Sequence, residues 1–214
     1  MASEIYLQFA ILILTLALFF PILILLKQTQ TKFRTKNRAT LQGNRYFIQA
    51  SNLLARARST PHRAQTLTHA KNALIEAEKA LSLSPRDPSA HIVKALALEL
   101  LDRRICAVKS LDVALSPPCV RSLVGSERGD ALIKRAELKL AMNRKRRVDS
   151  AVEDLVEAVP LGKSELKAFC LLGECYERKG MGEEAKEAYE KALRIEPESV
   201  MASRGLNRLG SFGS

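Results

Sequence analysis

The stretch from Leu166 to Pro197 constrains the fold more than any other part of the chain. Counted from Leu166 as position 1, Phe169 falls at 4, Leu172 at 7, Gly173 at 8 and Tyr176 at 11. Ala185 then falls at 20, Tyr189 at 24, Ala192 at 27 and Pro197 at 32. Each residue type has a packing reason at its place. Small residues at 8, 20 and 27 let two antiparallel helices approach closely, and the aromatics at 4, 11 and 24 fill the space between them. Proline cannot continue the second helix.

This spacing resembles the tetratricopeptide repeat, a helix–turn–helix unit of about 34 residues. One such unit cannot bury its own apolar face, so others should precede it. The resemblance implies an all-α fold: a tetratricopeptide-like superhelical solenoid of about four antiparallel helix pairs plus a C-terminal capping helix, over residues 41–209. In the first pair, Tyr46, Phe47, Ala50, Leu53 and Leu54 form one apolar stripe, Ser59-Thr60-Pro61 breaks it, and a second helix runs from about His62 to Leu83. Between Ala50 and Ala73 the pair is longer than the family pattern, so its helices should be longer, and the pattern does not fix its register. The second pair follows Pro88, with Ala95, Ala107, Leu111 and Ala114 at positions 8, 20, 24 and 27. His91 stands at position 4 as a packing substitute for an aromatic. Residues 119–128 are an insertion that either extends the next helix or forms a loop. The third pair carries Leu132, Ala136 and Leu140, then Ala151, Leu155 and Ala158, around a basic turn at 143–147. Val200 to Leu209 reads as the cap, and residues 210–214 as a flexible tail.

The composition agrees with a helical chain: 47% hydrophobic residues but only 5% aromatic, and no tryptophan. The four cysteines, at 106, 119, 170 and 175, have no zinc-ligand spacing and read as free thiols. The net charge of +11 is concentrated at one end. From Lys27 to Lys71 there are ten basic residues, and no acidic residue stands between Glu4 and Glu76. Nucleic-acid binders more often spread such charge over a folded face, so no nucleic-acid partner is expected.

Ahead of the repeats, a four-residue tail (1–4) leads into Ile5 to Leu26, an uncharged run of 22 residues. A helix of that length spans roughly 33 Å, enough for the hydrocarbon core of a bilayer. The run therefore reads as an N-terminal transmembrane helix preceding the solenoid. The competing reading, a cleaved signal peptide, needs a basic start and a small-x-small cleavage site; here Glu4 is the only charge before the run. Residues 27–40 form a basic juxtamembrane linker, and Lys27, Lys32, Arg34, Lys36 and Arg38 form its membrane-surface set. Their excess on one flank places the repeats in the cytosol. They also fit contact with anionic lipid. Either the secretory pathway or an organelle outer membrane suits such a segment.

No catalytic constellation, phosphate loop, metal-ligand pair or cofactor motif stands out, and an enzyme is not expected. Acidic and basic residues interleave at helical spacing, as on a solvated face. In the family, positions 2, 5, 9 and 12 of each first helix line a concave groove that holds a protein or peptide partner. Positions 5, 9 and 12 are Ile92, Leu96 and Glu99 in the second pair, Ile133, Glu137 and Leu140 in the third, and Cys170, Glu174 and Glu177 in the fourth. This groove should mix apolar and acidic groups and suit a segment carrying basic residues. Some members clamp the terminal carboxylate of heat-shock chaperones with asparagines at positions 6 and 9. Here those positions hold Val93, Lys134 and Leu171, then Leu96, Glu137 and Glu174, which disfavours that clamp. The reading is a membrane-anchored interaction scaffold; the alternative is a receptor or co-chaperone-like part of protein import at an organelle membrane.

Overall fold

The structure is a computed structural model that describes residues 40–142, 145–161 and 164–211. The transmembrane run at 5–26 and the linker residues 27–39 lie outside the described residues, as do the tail residues 212–214 and part of the basic turn. Among the described residues no helix is long and apolar enough to cross a membrane.

The described part of the first helix, α1, covers 40–59. It is followed by α2 (Arg63–Leu83), α3 (Pro88–Leu100), α4 (Arg104–Leu115), α5 (Gly125–Ala141), α6 (Lys145–Ala158), α7 (Glu165–Lys179), α8 (Gly182–Ile195) and α9 (Val200–Ser211). Among the described residues there is no strand. Local chemistry sets several of these ends. Asp87 caps α3 by accepting from the Ser89 amide at 3.0 Å, with Pro88 in the first turn. Gly180 ends α7 in the left-handed region at φ 74°, and the Gly180 and Met181 amides close back on Glu177 and Tyr176 at 3.0 and 2.9 Å. Glu183 and Glu184 then open α8, where carboxylates favour the helix dipole.

Consecutive helices pack in pairs, α3 on α4, α5 on α6 and α7 on α8, and each pair stacks on the next through α2–α3, α4–α5 and α6–α7. The stack closes with α8 and α7 against α9. Side chains shared between joints make the core continuous. Leu74 packs into both the first and second joints, Leu115 into the second and third, and Phe169 and Tyr176 into the third joint and the cap. The small residues of the sequence pattern sit where helices touch: Ala95, Ala107, Ala136, Ala151, Ala185 and Ala192 are completely buried. Between them Leu111, Leu132 and Leu155 are fully enclosed. Each such leucine contributes about 1.5–3 kcal/mol relative to an exposed one.

Three expectations are refined. The insertion at 119–128 is both alternatives in sequence: a 3₁₀ turn at Cys119–Ser122, then an early start of α5 at Gly125. The long first pair is accommodated by α2, which runs for 21 residues. The alternating charges of the third pair are not all on a solvated face. Lys139 is 8% and Asp154 4% exposed, and Lys139 Nζ lies 2.6 Å from Asp154 Oδ2. Arg135 bridges Asp154 at 2.6 Å and Asp112 at 3.0 Å, and Lys139 also donates to Ser150 Oγ at 2.6 Å. Lys139 and Arg135 share a face four residues apart on α5, so stacking α4 and α6 over that face covers the charges and pairs them.

Candidate functional site

The first helices of successive pairs stand side by side, α5 against α7 and α7 against α9. Their common face forms a trough with two hollows. One is bounded by Glu99 on α3, Lys134, Glu137 and Leu140 on α5, and Glu174 and Arg178 on α7. The other lies between α7 and α9, with Cys170, Glu174, Glu177, Tyr189, Arg204 and Arg208 on its walls.

Of the residues the sequence nominates, Glu99, Glu137, Leu140 and Glu174 meet in the first hollow, and Cys170, Glu174 and Glu177 in the second. The apolar wall needs correction. Leu140 and Cys170 are 4% and 3% exposed and reach only the floor of the hollows, while Ile133, 5% exposed, belongs to the core between the third and fourth pairs. Ile92 packs against the joint of the second and third pairs and Leu96 against that of the first and second, each half-buried, and neither lines either of these two hollows. Stacking of the neighbouring first helix covers position 5 and leaves the longer polar side chains of positions 9 and 12 at the opening.

The acidic wall also carries cations. Lys134 Nζ lies 2.7 Å from Glu137 and 3.3 Å from Glu99, and Lys167 lies 2.5 Å from the other oxygen of Glu137. Arg178 pairs with Glu174 at 2.5 Å and donates to the Leu140 carbonyl at 2.9 Å; Arg104 donates to the Ala141 carbonyl at 2.9 Å. The two arginines thereby satisfy carbonyls in the last turn of α5, which have no partner inside the helix. Arg208 holds Glu177 through Nη2 and Nε, at 2.9 and 3.2 Å, and reaches the Tyr189 hydroxyl at 3.3 Å. The trough is therefore a ladder of matched charges. Burial pushes the Glu137 carboxyl up, but Lys134 and Lys167 outweigh it and hold it below its ordinary value. Burial likewise lowers Lys134, and Glu137 and Glu99 more than restore it, leaving it raised.

The sequence reading missed these cations. Lys134 and Arg178 carry a local signal, three and four residues from their partners on the same helix. Lys167 and Arg208 pair across helices, and no sequence spacing points to them.

The chemistry of the remaining groups is quiet. His91 Nε2 lies 3.0 Å from the Pro85 carbonyl, tying the junction before α3. All four cysteines are free thiols, and burial pushes Cys175 up to about 12, where little thiolate forms. Among the described residues no cluster of histidine, cysteine and carboxylate side chains is placed to hold a metal ion.

Stacked helix pairs with a trough along their first helices define an α-solenoid. Residues 166–199 match the model of the tetratricopeptide repeat, and the fold around them is similar to that of solved tetratricopeptide-repeat structures. The crystal structure of MamA is similar with TM-score 0.60 and 19% identity, covering 78% of this chain and 81% of that one. PilF of Pseudomonas aeruginosa is similar with TM-score 0.61 and 19% identity, over 82% of this chain and 69% of that one. YrrB, described as a tetratricopeptide-repeat protein with an unusual peptide-binding site, is similar with TM-score 0.57 and 18% identity, over 69% and 71%. No curated protein sequence matches the chain.

Proposed function

We propose that the protein is a non-enzymatic interaction scaffold, anchored in a membrane by residues 5–26, with its repeat domain in the cytosol and a protein or peptide partner in the trough. The observation that carries the binding role is the open charge ladder across α3, α5 and α7, from Glu99 through Lys134, Glu137 and Lys167 to Glu174 and Arg178. These side chains stand on rigid helices and are already oriented by one another, which lowers the ordering cost of binding. Because each carboxylate has a cation beside it, the trough suits an extended or helical segment carrying charges of both signs, rather than the basic segment the sequence suggested. The peptide site of YrrB supports this use of the fold. The anchor rests on the uncharged 22-residue run and the lysines and arginines after it.

Two measurements test the proposal. With tags at both ends of the protein on intact membranes, external protease should remove the C-terminal tag while the anchor stays in the alkaline-extracted pellet. A protected C-terminal tag, or a soluble shortened protein, overturns the topology. A photo-crosslinking residue at Glu174 should capture a partner that the same residue at Lys186, on α8, does not; equal capture at both overturns the assignment of the trough.

A further inference from the structure

Among the described residues, the helix at the N-terminal end of the stack has an exposed face. On α1, Ala50, Leu54 and Ala57 are buried against the rest of the solenoid, and Gly43 lies close to Leu83 and Ser84 at the end of α2. The opposite stripe is Leu41, Arg45, Ile48, Asn52 and Arg56, at spacings of three and four residues. All five are exposed; Leu41 is 64% and Ile48 56% exposed. Shallow hollows run along this stripe, one against Leu41, Arg45 and Tyr46, the next against Ile48, Leu53 and Arg56. In a solenoid this is the side on which a preceding pair would stack.

The charge of this face differs from that of the trough. Lys134, Lys167, Arg178 and Arg208 in the trough have carboxylate partners, but α1 and α2 carry no acidic residue before Glu76. Arg45 and Arg56 make no ion pair among the described residues, and Arg58, Arg63 and Lys71 add exposed positive charge beyond them. Apolar side chains interleaved with unpaired arginines on one helix face are complementary to an anionic bilayer surface, where the arginines meet phosphates and the leucine and isoleucine enter the boundary with the acyl chains. The chain's own length brings the two together. Only 13 residues separate Leu26 from Thr40, which can span at most about 45 Å.

We infer that the outer face of α1 lies on the anionic membrane surface next to the anchor, so that the solenoid stands on its N-terminal edge with the cap, α9, farthest from the bilayer. This rests on the anchored topology proposed above, and the following test separates the two. Full-length protein with Asn52→Cys and Cys106→Ser is labelled with an environment-sensitive fluorophore and reconstituted into phosphatidylcholine vesicles with or without phosphatidylserine. Lipid-borne nitroxide should quench the label in the anionic vesicles and not in the neutral ones, while a label at Lys186→Cys stays unquenched in both. Arg45→Glu with Arg56→Glu should weaken the surface-bound population about tenfold or more without releasing the protein on alkaline washing. Retention with no quenching, with equal quenching in neutral vesicles, or with quenching indifferent to the double substitution overturns the inference and leaves the anchor standing. Disulfide or chemical cross-links between copies through position 52, without lipid quenching, assign the face to a second copy and overturn it too. If alkaline washing releases the protein, the anchor reading fails; co-sedimentation of the released protein with anionic but not neutral vesicles then supports the α1 face, and its absence overturns it.

Discussion

Tyr189 shows how one side chain binds the C-terminal end of the solenoid. Its ring is 2% exposed and lies between Gly173 on α7 and Gly205 on α9. A Cβ built on Gly173 would stand 2.5 Å from two ring carbons, and one on Gly205 would clash with the same ring. The ring is enclosed on both sides and has nowhere to move. Gly173→Ala or Gly205→Ala should therefore cost about 1–3 kcal/mol, read from denaturant midpoints, and Tyr189→Leu in the same chain should recover part of it. Glu137 makes a pH prediction with a definite sign. Its folded value lies below the ordinary 4.5 because Lys134 and Lys167 outweigh burial. It therefore contributes stability above the ordinary value, and that contribution is lost as pH falls through the lower folded value. Denaturant midpoints of wild type and Glu137→Gln, compared between about pH 6 and pH 3, should converge as acid is added.

At the scale of elements, α9 is a cap in the energetic sense. Ala202 is completely buried, and Leu206 and Leu209 pack on the cluster that holds Cys170, Tyr189 and Ala192. Arg208 adds the clamp on Glu177. A chain ending at residue 199 would leave that cluster open to water. Because stacked pairs are coupled mainly to their nearest neighbours, the damage should be local. Hydrogen exchange of the truncated protein should show faster exchange in α8 and α7, with α3 and α4 close to wild type. A uniform loss of protection across all helices would instead mean that the solenoid unfolds as a single unit. The boundaries of most elements are visible in the sequence, because Asp87-Pro88 and Gly180 act within a turn of where they stand. The 3₁₀ turn at Cys119–Ser122 is not, since Gly125 and Gly129 beside it are compatible with either helix or loop.

The whole molecule is polarised. Among the described residues Arg45 and Arg56 on α1 make no ion pair, while in the trough, from α3 onward, each carboxylate faces a cation across or along a helix. The buried pair Lys139 and Asp154, with half-buried Arg135 reaching out to exposed Asp112, ties α4, α5 and α6 together. Removing one member of such a set strands a charge in the interior, so it specifies how the second and third pairs meet more than it adds to net stability. The proposed arrangement uses this polarity: the basic edge on the bilayer, the matched-charge trough turned to a partner.

Sequence alone determined the helix pairs, the order in which they stack and the residues that seal each joint. Alanines and glycines at fixed offsets, and prolines between units, act through local geometry and short-range packing. It also marked where the trough runs, since the family resemblance points to the first helix of each pair. Only the tertiary structure decided what the trough is made of. Stacking sank Ile133, Leu140 and Cys170 into the core or the floor, because an adjacent helix covers position 5 and the seam below it. The same stacking brought Lys167 to Glu137 and Arg208 to Glu177, 30 and 31 residues apart in the chain, turning an acidic wall into a neutral ladder. Pairings of that kind depend on distances between helices, which no periodicity within a single helix encodes.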